Sequence, residues 1–468
     1  MDPAAANRTG TRRGGLKALL AVVCAAQFMV VLDVSVVNVA LPSIRGGLGF
    51  ADTGLQWVIN AYALTFAGLL LLGGRVADLF GRRRVFLAGL GVFTAASLAG
   101  GLAMSPGMLV AARVAQGVGA AVLAPATLTL LTTSVDEGPQ RTRALAVWTA
   151  VGLAGGTAGN LLGGVLTEFL SWRSTLLINI PIGLLAWAWS LRVVPADTGR
   201  DSREPLDVAG AVLATAGLGG LAFGVAQAAV GGWTAPQTVA GIGAGLVLLA
   251  GFVAVEAKVA VPLIPLRLLR IRSVGVGNVV MLLAGACLNP MWYFLTLGMQ
   301  NVLGYSPLRA GLAFLPHTLV TILVGTRVTP WLMRYADTRL VIAAGSVLAA
   351  AGFWWQSHLT PGTGYVSGIL GPAIVFSIGS GLLNTPVTTA VTAGVDPREA
   401  GAASGLMNTT KQIGGALGLA VLVTLAVPAS TGTATVAHAY GRAFVAMAAV
   451  MLVVAALTWL LPGRRDRA

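Results

Sequence analysis

Residues 21–44 read AVVCAAQFMVVLDVSVVNVALPSI, a lipid-soluble stretch with a carboxylate, Asp33, in its middle. An acid there costs about 2.5–3.5 kcal/mol on insertion scales, so it is kept for a purpose such as carrying a proton or holding a counter-ion. Of the sixteen acids in the chain it alone falls well inside an apolar run. Two cations, Arg113 and Lys411, and one histidine, His317, fall inside other runs. At about 1.5 Å per residue, Asp33 lies roughly 25 Å from the start of its run near Leu16, and Arg113 roughly 9 Å below the far end of its own. The two therefore sit near one depth. Burial works against a charged carboxyl and a nearby guanidinium works for it, so Asp33 set between those forces can load and release a proton. A purely structural acid neutralised by a neighbour is the plainer alternative. His317 reads more readily as a hydrogen-bonded packing residue than as a relay. For Lys411, no acid falls inside an apolar run of its half of the chain. The lysine is either fixed on carbonyl groups or available to electron-rich groups of a substrate.

The elements that carry these residues follow from composition. The chain of 468 residues is 56% hydrophobic and 10% charged, with a mean hydropathy of +0.83; a water-soluble domain carries about 25% charged residues. The bilayer must be its solvent. Fourteen apolar stretches are long enough to span it, the first near 16–41 and the last near 440–462, joined by short connections. With the N-terminus inside, the inside segments hold 24 Lys and Arg and the outside loops 4, as the positive-inside rule requires of an even helix number. The net charge of +14 is thus a topology signal, and nucleic-acid binding, which wants a basic exposed domain, is excluded. Cys24 and Cys287 lie in apolar runs and read as small packing residues. The N-terminal run continues without a small-residue cleavage site, so it reads as a span and not a removable leader.

The chain also echoes itself. GVGAAVLAPATLTLLTTSVD in the fourth helix matches GSGLLNTPVTTAVTAGVD in the twelfth, and Gly155, Gly156 and Gly159 in the fifth match Gly414, Gly415 and Gly418 in the thirteenth. Two matches in one order point to duplicated six-helix halves, an architecture of secondary transporters. The expected organisation is a tail at 1–15, a first half at 16–195, a linker with two extra helices at 196–268, a second half at 269–462 and a tail at 463–468, with both tails cytoplasmic.

Between the second and third helices lies GGRVADLFGRRRVF, a glycine-closed turn with an acid and three arginines. Gly74, Asp78, Gly81, Arg82 and Arg83 resemble the signature loop of the major facilitator superfamily. LDVSVVNVALPSI, LVAARVAQGVGAAVLAPA, WRSTLLINIPIG and SGLMNTTKQIGGALGLAV resemble segments of its fourteen-helix drug:proton antiporters, with Arg113, Gln116 and Gly117 in register and Lys411 where arginine is common. The resemblance implies an all-α integral membrane protein of the major facilitator fold. It also implies proton coupling through Asp33 and Arg113, a cytoplasmic latch made by Asp78 and the arginines, and a cavity to which Gln116, His317 and Lys411 contribute. In GLAGGTAGNLLGGVL the family has a Gly-Pro pair where Asn160 stands here. Gly155, Gly159 and Gly163, with Gly164 beside them, still leave one face bare for close helix packing, but the missing proline removes an expected kink and restores a backbone donor.

The expected function is proton-driven export of small amphiphilic drugs or antibiotic-like natural products across the cell membrane, by a monomer, with protons and the substrate as partners. A symporter of a small metabolite in the same superfamily is the nearest alternative. Three scattered histidines leave no metal motif, and none of the three lysines closes a nucleotide-binding loop, so neither a membrane enzyme nor a nucleotide-driven pump is expected. No metal or cofactor is called for. If Asp78 belongs to a latch remote from the cavity, Asp78→Ala should slow transport severely while substrate affinity, measured by equilibrium binding, stays within about twofold. A large loss of affinity with intact transport kinetics would contradict the latch.

Overall fold

The computed structural model describes residues 3–135, 138–197, 206–259, 262–264, 266–392, 395–396, 399–428, 430 and 432–462, with the side chains of 3–15, 78 and 400 left out of the description. Among the described residues the chain is helical and has no strand. In order the long elements are α1 (Pro3–Leu48), α2 (Trp57–Phe80), α3 (Arg82–Gly101), α4 (Pro106–Ser134), α5 (Pro139–Phe169), α6 (Ser174–Val193), α7 (Val208–Gly231) and α8 (Pro236–Glu256). After a single turn at Leu266–Leu269 come α9 (Arg272–Val302), α10 (Pro307–Tyr335), α11 (Thr338–Gln356), α12 (Val366–Thr392), α13 (Ala400–Leu425) and α14 (Thr433–Leu460).

Thirteen of these are long and apolar enough to cross a membrane. The exception is α13, which has the length, 26 residues, but carries the polar run Asn408, Thr409, Thr410, Lys411 and Gln412. It is nonetheless embedded, packed on α9, α2 and α7. Against the sequence expectation of fourteen spans, the described residues give thirteen helices that qualify as spans and one further long helix, α13, that does not.

The two halves repeat one packing scheme. In the first, α5 lies on α1 through its bare glycine face. A Cβ on Gly155 would sit 3.0 Å from the Phe28 carbonyl, one on Gly159 would sit 2.8 Å from that of Leu32, and one on Gly163 would sit 2.8 Å from that of Val36. In the second, Gly414 and Gly418 of α13 meet the carbonyls of Leu282 and Ala286 on α9 in the same way. The glycine echo read from the sequence is therefore one seam used twice, with small residues letting backbones approach where lipid supplies no hydrophobic drive. Asn160 leaves α5 unbroken over 31 residues, and its carbonyl and Gly164 face Gly311 and Pro307 of α10. α7 and α8 pack on each other, and α7 reaches α2 and α13, so the inserted pair covers a seam between the halves.

Three helices of the second half contain a five-residue π-helical segment: Gly298–Val302 in α9, Val324–Val328 in α10 and Val366–Leu370 in α12. Such segments widen the helix and turn side chains off their regular positions. In α9 this places Gln300 to donate to the Val39 carbonyl of α1 at 2.8 Å, a bond between the halves. A second bond joins them on the same face of the bundle, the one with the 49–56 loop, where the Leu308 amide donates to Glu168 at 2.9 Å.

A Cβ on Gly159 would stand 2.6 Å from Cβ of Ser35, so Gly159→Ala should force α1 and α5 apart and lower stability by roughly 1–3 kcal/mol, seen as a reduced thermal midpoint in detergent. Gly91→Ala, where nothing lies within 4 Å, serves as control and should leave the midpoint unchanged.

Candidate functional site

Five helices of the first half converge on Asp33. It is fully buried, at 0% exposure, and so are Gln116 and Asn179; Arg113 is 1% exposed. Arg113 leaves α4, where it donates from one terminal nitrogen to Asp33 Oδ2 at 2.5 Å and to Gln116 Oε1 at 2.9 Å. Its Nε donates to the Val58 carbonyl of α2 at 2.9 Å, and the guanidinium lies 4.5 Å from the ring centre of Tyr62, a cation–π contact that shields its upper face. Gln116, one turn on, donates to Asp33 Oδ1 at 3.0 Å and to Ser97 Oγ of α3 at 2.8 Å. Asn179 of α6 donates to the same Oδ1 at 2.8 Å and to Ser97 at 3.3 Å. Ser97 in turn donates to the Phe93 carbonyl at 2.8 Å.

The chemistry of this set is one-sided. Every side chain that reaches Asp33 presents an N–H. The arrangement suits a carboxylate; a protonated carboxyl would point its own O–H at a donor. Two acceptors nearby remain unused, Asn179 Oδ1 and the Tyr62 oxygen, both buried without a hydrogen-bond partner. Turning the Asn179 amide would exchange its donor for an acceptor at Asp33.

The sequence-derived residues separate into groups. Asp33, Arg113 and Gln116 come together as expected of neighbours at one depth. Asn179, Ser97 and Tyr62 were missed; Asn179 lies inside the quoted segment WRSTLLINIPIG, a polar residue among apolar ones. His317 belongs to a different environment in the second half, 3% exposed, held by Ser377 at 2.5 Å, edge-on to Trp292 and stacked on Phe376. Lys411 is partly exposed on α13, and no carboxylate among the described residues pairs with it.

At the signature loop Gly81 takes φ 96°, a left-handed conformation that a residue with a Cβ resists. A Cβ there would also collide with the carboxylate of Asp197. That acid, beyond the end of α6, accepts from the amides of Arg83 and Arg84 at 2.9 and 3.2 Å, so it caps the positive end of α3. Arg83 donates to the Leu191 carbonyl at 2.6 Å and Arg75 to that of Pro262. Gly74 lies within α2, as does the backbone of Asp78, whose side chain lies outside the described residues. Arg82 heads α3.

A cavity of about 500 Å³ opens on the opposite face, lined by Arg45, Asp52, Leu55, Tyr293, Asn301 and Tyr440 among others. Its size suits a drug-like molecule. Arg45 and Asp52 pair with each other at this cavity, and Asp33 is not among its walls.

The family model of the major facilitator superfamily matches residues 23–419. The chain is 57% identical to the cephamycin export protein CmcT of Amycolatopsis lactamdurans, over 95% of this chain and 92% of that protein. It is 41% identical to the puromycin resistance protein pur8 of Streptomyces alboniger (96% and 92%) and 37% identical to the lincomycin resistance protein of Streptomyces lincolnensis (94% and 90%). Among solved structures it superposes on the nucleoside transporter NupG with a TM-score of 0.68 at 13% identity (96% and 100%), and on the human organic anion transporter MFSD10 with 0.63 at 15% identity (95% and 99%), likenesses that speak to fold. With its helical architecture and this family match along most of its length, the chain belongs to the major facilitator superfamily of multi-pass membrane transporters.

Proposed function

We propose that this transporter exports antibiotic-like amphiphiles, a cephamycin-type antibiotic first among them, in exchange for protons taken up on Asp33. The observation that carries the coupling is the all-donor shell of Asp33. In the conformation described, the acid is matched to Arg113 and closed to solvent. Substrate and proton do not compete for one contact, so coupling runs through conformation. A proton arriving at Asp33 cancels the charge that holds Arg113 and sets an O–H against three donors. Asn179 relieves this by turning its amide. Arg113, tied to the α2 carbonyl of Val58, is then free to shift relative to α1, and α1 slides along the glycine face of α5.

The remaining roles follow from position. The halves 16–195 and 269–462 rock against each other with the 196–268 insert at their seam and both tails on the cytoplasmic side. On that side the loop from Gly74 to Arg83, with Asp78, is the latch, and the Asp197 cap holds the start of α3 in register with it. The chain acts as a monomer in the cell membrane. The export and resistance proteins among its relatives favour outward transport over metabolite uptake.

Charge selects the substrate. Asp33 is already matched by Arg113, and among the described residues no acid pairs with Lys411, so these intramembrane groups leave a net positive charge that disfavours a dication. Neutral, weakly anionic or at most monocationic compounds are the substrate class.

Asp33→Asn keeps the shape of the site, and Arg113 keeps its carbonyl and ring partners, so the variant should insert and fold. Export driven by a pH gradient in proteoliposomes should fall to background; a rate near the parent's would remove Asp33 from the coupling. A single titrating acid implies one proton per cycle, and each charge moved is worth about 2.3 kcal/mol per 100 mV. Export of a neutral substrate should then rise with membrane potential, while exchange of a monocation for one proton moves no net charge and should not. Clamping the potential with potassium and valinomycin tests both. Robust export of a dication, or voltage-insensitive export of a neutral compound, would contradict this charge count.

A further inference from the structure

The cavity on the face of the 49–56 loop uses none of the residues assigned to coupling or to the expected substrate path. Asp33, Arg113, Gln116, His317 and Lys411 are not among its walls. Its volume of about 500 Å³ is in the range of pockets that enclose small organic molecules. Both halves build it. Arg45 at the end of α1 and Asp52 in the turn before α2 line one side, and Tyr293 and Asn301 of α9 and Tyr440 of α14 line the other.

The apolar part of the lining is aromatic and fixed. Phe294, 1% exposed, takes Tyr293 edge-on at 5.3 Å between ring centres and Tyr440 edge-on at 6.0 Å. The two tyrosine rings are thus held in place before a ligand arrives. Tyr440 also has a hydrogen to give. Its oxygen accepts from Asn301 Nδ2 at 3.2 Å, which leaves the phenolic O–H as a donor.

The charged part is the ion pair of Arg45 with Asp52, whose side chains are 41% and 56% exposed. A pair so open to water contributes little to stability. Its members differ in anchorage. Arg45 stands in the last turn of a helix, whereas Asp52 is carried by a turn and is the more exposed of the two. Asp52 is therefore the exchangeable partner: it can return to water while the guanidinium stays on the cavity wall. A guanidinium left there presents paired N–H donors in the geometry that a carboxylate accepts.

We propose that this cavity is a binding site for amphiphilic monocarboxylates, in which the carboxylate of the ligand takes the place of Asp52 on Arg45. Tyr440 donates to a further oxygen of the ligand, and the apolar body lies against Tyr293, Phe294 and Leu55. The occupant touches both halves on the face where Gln300 and Leu308 already bond across them, so it adds to the hold between them there. The site goes beyond the export reading, and nothing in it depends on Asp33 or on the direction of transport.

The probe is dansylglycine, a fluorescent monocarboxylate, compared with its uncharged methyl ester. Each is titrated into purified protein in detergent and followed by the blue shift of dansyl emission. The two members of the ion pair should act in opposite directions. Arg45→Gln should weaken dansylglycine binding by about tenfold or more, the loss expected of one charge-assisted contact. Asp52→Asn removes the competing carboxylate and should tighten binding severalfold. The ester should bind more weakly than the acid to the parent and alike to all three proteins. Asp33→Asn should bind dansylglycine as the parent does, which keeps this test apart from that of the coupling acid. Dansylglycine should also raise the thermal midpoint of the parent and of Asp52→Asn but not of Arg45→Gln, a readout that probe dissolved in detergent does not give. Weaker binding to Asp52→Asn, the mark of a cation site or of a pair that only shapes the loop, would overturn the proposal. So would the absence of saturable binding to the parent, equal affinity in the parent and Arg45→Gln, or an ester bound as tightly as the acid.

Discussion

A carboxylate can remain charged inside a membrane protein only if its surroundings replace the water it has lost, and Asp33 is surrounded on those terms. Its neighbours come from four other helices, each contributing something water would have offered: a guanidinium from α4, amide donors from α4 and α6, a hydroxyl relay from α3, and, through Arg113, a carbonyl and an aromatic face from α2. Removing one member of a buried ion pair typically costs about 3–5 kcal/mol, because the other charge is left uncompensated. The relative placement of five helices therefore depends on one charge, and a proton is the smallest change that can cancel it. That dependence is why we propose this acid as the coupling residue.

The glycine seams complete this picture. α1 carries Asp33, and α5 touches α1 through residues with no side chain, at Phe28, Leu32 and Val36, the turns on either side of the acid. Smooth backbone contact permits sliding without unlocking interdigitated side chains. The second half uses the same seam between α9 and α13, but among the described residues no buried acid matches Asp33 there. Instead α13 carries Lys411 among amides and hydroxyls. The buried acid–arginine pair of the first half and the lysine of the second are thus an asymmetry laid on a shared glycine seam.

The parts legible in the sequence were those governed by one-dimensional rules. Apolar run length located the spans, the lysine and arginine imbalance set an expected topology, and rise per residue placed Asp33 and Arg113 at one depth. The glycine spacing indicated a close helix contact, although not its partner. What was not legible depends on which helices neighbour which. Asn179 and Ser97 are ordinary polar residues until α3 and α6 are seen to meet at α1. Asp197 lies beyond α6, and its role as the cap of α3 arises only because the two helices end on the same face. The π-helical segments of α9, α10 and α12 have no signal that periodicity reads, and α13, with its polar run, packs against α9, α2 and α7 all the same.

If Asp33 is held as a carboxylate by donors alone and exchanges its charge for conformational change, binding of an exported compound to the purified transporter should shift the proton occupancy of this one residue. The direct measurement is substrate-induced proton release in weakly buffered detergent solution, followed with a pH-sensitive dye at a starting pH where the acid is partly protonated. The parent protein should release protons in proportion to bound substrate, up to the fraction of the acid protonated at the start, and Asp33→Asn should bind the same compound and release none. Equal proton release from the two proteins would contradict the account.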